Sequence, residues 1–126
     1  MTDAGGAAAR GSELAPMIFA QVLQAGACEG QLAWRPFHPG IEIALVYQDE
    51  RGPAAAFLRY QPGARVGRHV HEGYEHVLVL RGSQTDAAGR HVAGTLVVNP
   101  PGSVHEIVSE DGCLVLVIWE KPVRFV

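Results

Sequence analysis

The chain has 126 residues, of which 48% are hydrophobic and 18% charged, and its formal net charge is −3 at pH 7. This length suits one domain with a single core. A slightly acidic chain without a Lys/Arg cluster argues against a nucleic-acid partner, and its apolar stretches are far shorter than the ~20 residues of a membrane-spanning helix.

The N-terminal residues do not resemble a secretory signal, because no basic start is followed by an apolar core. We expect a disordered tail over residues 1–12 and one β-barrel domain over residues 13–126. Cys28 and Cys113 have neither the spacing of a zinc site nor the number needed for a disulfide framework. Two reduced thiols in a cytoplasmic protein are therefore expected, with Cys113 as a small core residue.

Beyond the tail, short apolar runs are separated by turn residues about every 8–12 positions, which is typical of an all-β sandwich or barrel. The predicted strands cover residues 17–23, 41–47, 54–60, 66–71, 74–80, 95–98, 105–108 and 113–119. Pro36 and Gly82 are among the turn residues that we expect to break them.

The strand at 74–80 is apolar on both faces. Glu75, Val77 and Val79 share the predicted inner face, and Leu78 and Leu80 lie on the outer one. An apolar outer face calls for a second sheet or a second subunit. Together with the low charge content, this pattern predicts a homodimer.

Candidate metal ligands lie on three of these strands. His69 and His71 are two residues apart on one strand, so both can reach one ion. Glu75 begins the next strand after Gly73, and His105 comes from a third. Three imidazoles and one carboxylate suit a divalent transition ion. Glu75 has an alternative role, as a carboxylate that hydrogen-bonds a ligand histidine.

These residues belong to two sequence blocks, Gly63-x5-His69-x-His71-x3-Glu75-x6-Gly82 and Gly94-x5-Pro100-x-Gly102-x2-His105. The blocks resemble the two motifs of the cupin superfamily, and the departure is Ser109, where the family usually has Asn. The resemblance implies an all-β cupin double-stranded β-helix, or jelly-roll barrel, with one bound metal ion.

Residues 59–117 also resemble two particular groups of cupins: the cupin domain of ChrR-like zinc-binding anti-sigma factors, and small cupins that cleave acetylacetone as dioxygenases. The regulators carry a helical zinc-binding domain ahead of the cupin. Only about thirty residues precede the first predicted barrel strands here, and they contain no His and one Cys, Cys28. The resemblance therefore implies a stand-alone metal-binding cupin.

Two functions follow from this resemblance. In the preferred one, a metal-dependent dioxygenase acts on a small dicarbonyl or enol-type molecule, with Fe(II) as the favoured ion and Zn, Mn, Ni or Cu as alternatives. The metal carries the chemistry, so no catalytic side chain is assigned. In the alternative, the same site holds Zn in a non-catalytic module with a structural, ligand-binding or sensing role.

Other polar residues are given lesser roles. The histidines that are not fixed positions of the two motifs are expected to be exposed or structural: His38, His76 and His91. Four more residues either line the mouth of the pocket and orient a substrate or, as strand periodicity more often indicates, pack with their polar tips in water: Tyr47, Arg59, Tyr60 and Tyr74.

Overall fold

The computed structural model describes residues 14–126. The predicted tail over residues 1–12 lies outside the described residues. Within this range the elements are one short helix and ten strands: α1 Ala25–Glu29, β1 Arg35–His38, β2 Ile41–Gln48, β3 Ala54–Tyr60, β4 Ala64–Val70, β5 Glu75–Asp86, β6 Gly89–Val92, β7 Leu96–Asn99, β8 Val104–Ser109, β9 Cys113–Trp119 and β10 Arg124–Phe125.

The predicted all-β fold is confirmed. The strands are hydrogen-bonded in the order β1-β2-β3-β9-β5-β8-β4-β10, with β6 and β7 each paired to β5. Neighbouring strands run antiparallel, and the sheet is curled. Strand β5 pairs with β7 and β9 at its beginning and with β6 and β8 at its end. It therefore joins the two halves of the barrel.

A β-bulge reverses the facing of side chains along β5. The register with β9 shifts between Val79 and Arg81. Odd-numbered residues therefore face the interior before the bulge, and even-numbered residues face it afterwards. Gly82 takes a left-handed φ of 73°, which lets the strand continue. We predicted that the strand ended at residue 80 and broke at Gly82; both expectations were wrong for this reason. Asp86 consequently faces the interior.

The main core lies inside the barrel, between the inner faces of the strands. Its buried residues are Ile41, Ile43, Ala56, Leu58, Tyr60, Val77, Val79, Cys113, Val115 and Val117. The predicted inward positions on β5 are thus confirmed, and Cys113 is a small core residue as predicted. Both cysteines, Cys28 and Cys113, are buried and free.

A second cluster covers part of the outer face of the sheet. Leu80, Phe57 and Leu114 are buried there together with Cys28 of α1, and residues 19–34 supply further apolar side chains that pack against them. The part of the outer face around Leu80 is therefore covered by the chain itself. The second subunit that we predicted is not needed at this position.

The N-terminal segment is tied to the sheet by charged groups. Glu29 of α1 pairs with Arg81 at 3.1 Å and with Arg59 at 3.5 Å. The guanidinium carbon of Arg59 also lies 4.3 Å from the centre of the Trp34 ring, a cation–π contact. Arg59 therefore belongs to this outer contact and not to the mouth of a pocket.

The strand predicted at residues 17–23 is wrong. This stretch forms a loop and a turn, in which Gln21 has a left-handed φ of 57° and its carbonyl accepts a hydrogen bond from the amide of Gln24 at 2.9 Å. Met17 and Ile18 are exposed, whereas Phe19 packs against the outer cluster. Alternation of apolar residues was not sufficient, because a strand also needs a neighbouring strand.

Three short strands were not predicted: β1, β6 and β10. Strand β1 contains Pro36, which we interpreted as a break. It is tolerated because β1 is an edge strand that pairs only with β2. The remaining predicted strands are confirmed to within one or two residues at their ends, apart from the extension of β5. None of the helices in residues 14–126 has the length and hydrophobicity of a membrane span.

Candidate metal centre

Three of the four predicted ligands form one cluster inside the barrel. His69 lies in β4, His71 directly follows it, and His105 lies in β8. One ring nitrogen from each lies within 4.8 Å of the others. His69 and His105 are direct partners across the β4–β8 pair, and their ring centres are 4.7 Å apart. The curled sheet thus brings together residues from both sequence blocks.

The orientation of His69 depends on a second bulge. The register between β4 and β8 shifts between Val66 and His69, which turns His69 to the same interior side as Val66 although they are an odd number of residues apart. The carbonyl of Gly67, within the bulge, accepts a hydrogen bond from Nδ1 of His69 at 2.8 Å. The same bulge therefore places the ring and fixes its rotation.

His71 is held by the loop that precedes β8. Its amide donates to the carbonyl of Ser103 at 2.9 Å, and its carbonyl accepts from the amide of Gly102 at 2.8 Å. Its Nδ1 lies 3.1 Å from the Ser103 carbonyl and 3.0 Å from the Ser103 hydroxyl. That hydroxyl donates to the carbonyl of Pro100, so its oxygen is free to accept from His71.

These contacts decide which nitrogen of each ring is available. Nδ1 of His69 and of His71 faces a carbonyl oxygen, and Nδ1 of His105 lies 2.9 Å from a carboxylate oxygen of Asp86. Each Nδ1 must therefore carry the proton, and each neutral ring presents the lone pair of Nε2. Within residues 14–126, the buried Nε2 atoms of His71 and His105 have no hydrogen-bond partner.

Glu75 approaches the cluster through His71. Its Oε1 lies 3.1 Å from Nε2 of His71, although these two atoms are not aligned for a hydrogen bond. Two donors bound side by side to one ion at ~2.1 Å lie ~3.0–3.4 Å apart. The spacing and the misalignment both fit two ligands directed at a common point.

The carboxylate of Glu75 is fixed by the strands on either side of β5. Asn99 of β7 donates to Oε1 at 2.9 Å, and Trp119 of β9 donates to Oε2 at 2.6 Å. Both residues are the direct cross-strand partners of Glu75. Only 6% of Glu75 is exposed, so these donors compensate for its burial.

The charges of the centre shift the pKa values of its members. Burial alone would raise the pKa of Glu75, but the nearby His71 ring and the hydrogen bonds from Trp119 and Asn99 lower it below the usual range. Burial alone would lower the pKa of His71, but Glu75 raises it above the usual range. Burial lowers the pKa of His69, and the nearby His105 adds to this effect.

Asp86 is a member of the centre that the sequence did not reveal. Its Oδ2 accepts from His105, and its Oδ1 lies 2.9 Å from Nε2 of His91 and accepts from the amide of Ala88 at 3.0 Å. These hydrogen bonds lower the pKa of Asp86, although burial opposes them. No motif signalled Asp86, because its inward facing depends on the bulge in β5.

A small apolar cavity of about 70 Å³ reaches His69 and Glu75 from the barrel mouth. Its polar lining includes Tyr60, Gln84 and His38. Of the four residues considered for a pocket mouth, Tyr60 is therefore the one that lines this cavity. Tyr47 lies in a groove on the outer face and Tyr74 is exposed.

The remaining histidines differ in their surroundings. His76 is exposed, as expected. His91 contacts Asp86. His38 is half-buried and lines the cavity, which its position outside the two motifs did not predict.

A curled antiparallel barrel with this histidine cluster is a cupin. The profile of the ChrR Cupin-like domain family matches residues 24–122, and the chain belongs to that family. The anti-sigma-E factor ChrR of Cereibacter sphaeroides is 34% identical over 95 residues, which cover 73% of this chain and 44% of that protein. The chain thus spans less than half of the length of this curated relative.

Solved structures agree with the fold. The structure of Rhodobacter sphaeroides SigE in complex with the anti-sigma ChrR matches with a TM-score of 0.62 and 28% identity, over 69% of this chain and 48% of that chain. An acetylacetone dioxygenase from Acinetobacter johnsonii matches with a TM-score of 0.69 and 16% identity, over 74% of this chain and 71% of that chain. The second likeness is evidence for the fold alone.

Proposed function

We propose that this chain is a metal-binding cupin in which Nε2 of His69, His71 and His105 holds one divalent transition ion, with Glu75 as the fourth ligand. The observation that carries the proposal is the pair of buried Nε2 atoms, on His71 and His105, that have no hydrogen-bond partner within residues 14–126. Burying a polar atom without a partner costs about 1–3 kcal/mol. A bound cation removes that cost.

The donor set fits such an ion. Three neutral imidazoles and one carboxylate are the ligands of Zn and of Fe, Mn, Ni and Cu sites in proteins. Each ring is already turned by a hydrogen bond at Nδ1, an arrangement that fixes the tautomer needed for binding through Nε2. The ion, when bound, supplies positive charge and Lewis acidity to the interior of the barrel.

The role that we favour is a non-catalytic module that senses a metal ion or a small ligand and transmits this state to a protein partner. Membership of the ChrR Cupin-like domain family supports this choice, as does the relative that is seen with SigE. The cavity supports it too, because about 70 Å³ is well below the ~300–1,000 Å³ of typical small-molecule sites. This reverses the preference for a dioxygenase drawn from the sequence.

The dioxygenase remains the second candidate. Its supporting observation is that the apolar cavity ends at His69 and Glu75, two of the proposed ligands. A small dicarbonyl molecule entering from the mouth would meet Tyr60 and Gln84 before the ion. In this function the side chains of the cavity orient the substrate and exclude water, and the ion supplies the chemistry.

Oxygen uptake separates the two functions. The protein is loaded with Fe(II) without air and titrated with acetylacetone and related diketones while the absorbance is recorded; air-saturated buffer is then added and the oxygen concentration is followed. We expect no new absorption band and no oxygen uptake. A band together with oxygen consumed in proportion to diketone would establish the dioxygenase instead.

A homodimer is also part of the proposal, through the outer face at the beginning of β5 and not through the part around Leu80. The sheet carries exposed apolar side chains on β7 and β9, namely Leu96, Val98 and Ile118. Val98 and Ile118 both lie beside His76 of β5, and Leu96 lies beside Leu78. These neighbours form a continuous outer surface that a second copy would cover.

Light scattering tests this surface. We expect the mass of two chains at micromolar concentration, and the mass of one chain for Val98→Lys with Ile118→Lys. The variant Arg68→Ala, at an exposed position on β4, serves as a control that stays dimeric. A measured mass of one chain for the wild-type protein would contradict the dimer.

A further inference from the structure

The buried carboxylate of Asp86 is placed differently from every other group that orients a ligand ring. His69 and His71 are oriented by backbone carbonyls and a hydroxyl, whereas His105 is oriented by a charged oxygen at 2.9 Å. The side chain of Asp86 is 8% exposed. A hydrogen bond to a carboxylate is stronger than one to a neutral oxygen, and more so away from water.

Each carboxylate oxygen of Asp86 has its own hydrogen-bond partners. Oδ1 accepts from the amide of Ala88, which stabilises the turn between β5 and β6, and it also contacts His91 at 2.9 Å. Oδ2 has His105 as its partner. A carboxylate that served only the turn would need only Oδ1. The direction of Oδ2 therefore requires its own explanation.

We infer that Asp86 is a positioning residue for the metal centre: it holds Nδ1–H of His105 so that Nε2 points at the ion, and His91 holds Asp86 in that orientation. The inference rests on the proposed metal site. Strand β5 then contributes to the centre at both ends: Glu75 is a ligand of the ion, and Asp86 accepts a hydrogen bond from the ligand His105. A carboxylate behind a ligand imidazole also increases the basicity of the ring, which strengthens its bond to the ion.

The effect is measured as zinc affinity, by competition between the 126-residue chain and a chromophoric chelator at pH 7.5. We expect Asp86→Asn, which keeps the shape of the side chain but not its charge, to weaken zinc binding about 10–100-fold. His91→Ala removes one group that orients Asp86 but keeps the carboxylate that faces His105, so it should weaken binding less. Asp111→Asn is the matched control, because this exposed carboxylate pairs with Arg90 and not with a ligand histidine, and its zinc affinity should stay near that of the wild type.

Two further measurements separate positioning from a structural role. The melting temperatures of the metal-free Asp86→Asn and wild-type proteins should be similar, because the amide oxygen can still accept from Ala88. In metal-free wild-type protein labelled with ¹⁵N-histidine, the signals of His105 should show the tautomer protonated at Nδ1, and Asp86→Ala should show a mixture of tautomers.

The outcomes are distinct for each claim. Zinc affinity of Asp86→Asn equal to that of the wild type would overturn the positioning role while leaving the metal site intact. A wild-type His105 protonated at Nε2 would overturn it too, even if the variants failed to fold. A wild-type protein that binds neither Zn nor Fe(II) would instead contradict the proposed function itself.

Discussion

Glu75 and Asp86 lie at opposite ends of β5, and each contacts a histidine of the same cluster. Oε1 of Glu75 is 3.1 Å from Nε2 of His71, and Oδ2 of Asp86 is 2.9 Å from Nδ1 of His105. In a regular strand of this length the two ends would face opposite sides of the sheet, since they are an odd number of residues apart. The bulge and the left-handed Gly82 reverse the facing of the later residues, so that both ends face the interior. The centre therefore depends on the middle of β5.

Gly82→Ala is therefore predicted to damage both the fold and the centre. An added Cβ would overlap the carbonyl oxygen of Gly112, and the φ of 73° disfavours any side chain. We expect the free energy of unfolding to fall by more than about 2 kcal/mol. Urea titration followed by circular dichroism measures this change.

The control for this prediction is Gly63→Ala. Gly63 also has a positive φ, of 85°, but an added Cβ would meet no atom within 4 Å. Its cost should be limited to the backbone term of about 1 kcal/mol. If both variants lost the same free energy of unfolding, the close approach of Gly82 to Gly112 would not affect stability.

Gly73→Ala is predicted to weaken metal binding while the barrel stays folded. An added Cβ would lie 2.8 Å from Oε1 of Glu120, the atom that accepts from the amide of Tyr74 at 2.9 Å. Losing this contact should displace the loop that joins His71 to Glu75. Zinc affinity measured by chelator competition should fall several-fold.

Gly26→Ala is the matched control for the loop variant. Nothing lies within 4 Å of a Cβ added at Gly26, which belongs to α1 and not to any element that carries a ligand. Its zinc affinity should match that of the wild type. If Gly73→Ala also matched the wild type, the loop would have no part in placing the ligands.

Motif spacing correctly predicted that His69, His71 and His105 form one cluster. His69 and His71 are two residues apart in sequence, and His105 occupies a fixed position of the second motif. Alternation correctly placed Glu75 and Val77 inside. These inferences depend on short-range geometry, which a sequence displays directly.

What the sequence did not predict depends on contacts between distant residues. The inward facing of Asp86 requires a bulge, and no residue pattern in β5 distinguishes a bulge at Leu80 from a strand end at Gly82. Residues 17–23 alternate like a strand, but they fold over the outer cluster instead. The cavity lining of His38 likewise depends on how β1 closes over the barrel mouth.

Metal affinity is predicted to fall as the pH is lowered, with His71 as the first ligand to be protonated. Glu75 raises the pKa of His71, so its proton competes with the ion at a higher pH than an ordinary histidine would. Burial lowers the pKa of His69, so protonation of His69 weakens metal binding only at lower pH. Zinc affinity measured between pH 5 and 8 checks this order.

Glu75→Gln separates the two roles considered for Glu75. Removing the carboxylate should lower the pKa of His71 and move the loss of zinc to lower pH. If Glu75 is also a ligand, zinc affinity at pH 8 should fall as well, by at least about tenfold. An affinity at pH 8 equal to that of the wild type would make Glu75 a partner of His71 only.

Removal of the ion is predicted to destabilise the protein. An ion that binds only the folded chain adds about 2.7 kcal/mol when its free concentration is 100 times Kd. For a domain of this size that corresponds to roughly 10 °C in Tm. Thermal melts with and without a strong chelator measure the difference; superimposable melts would mean that no ion is bound to the folded state under those conditions.

Elemental analysis of protein purified without added metal tests the central claim most directly. The wild type should contain close to one transition ion per chain, and His71→Ala should lose most of it, because an ion left with two imidazoles exchanges readily with water. His76→Ala should retain it, since His76 is exposed on the outer face. A metal-free wild type that also takes up no Zn or Fe(II), or equal metal content in wild type and His71→Ala, would contradict the assignment.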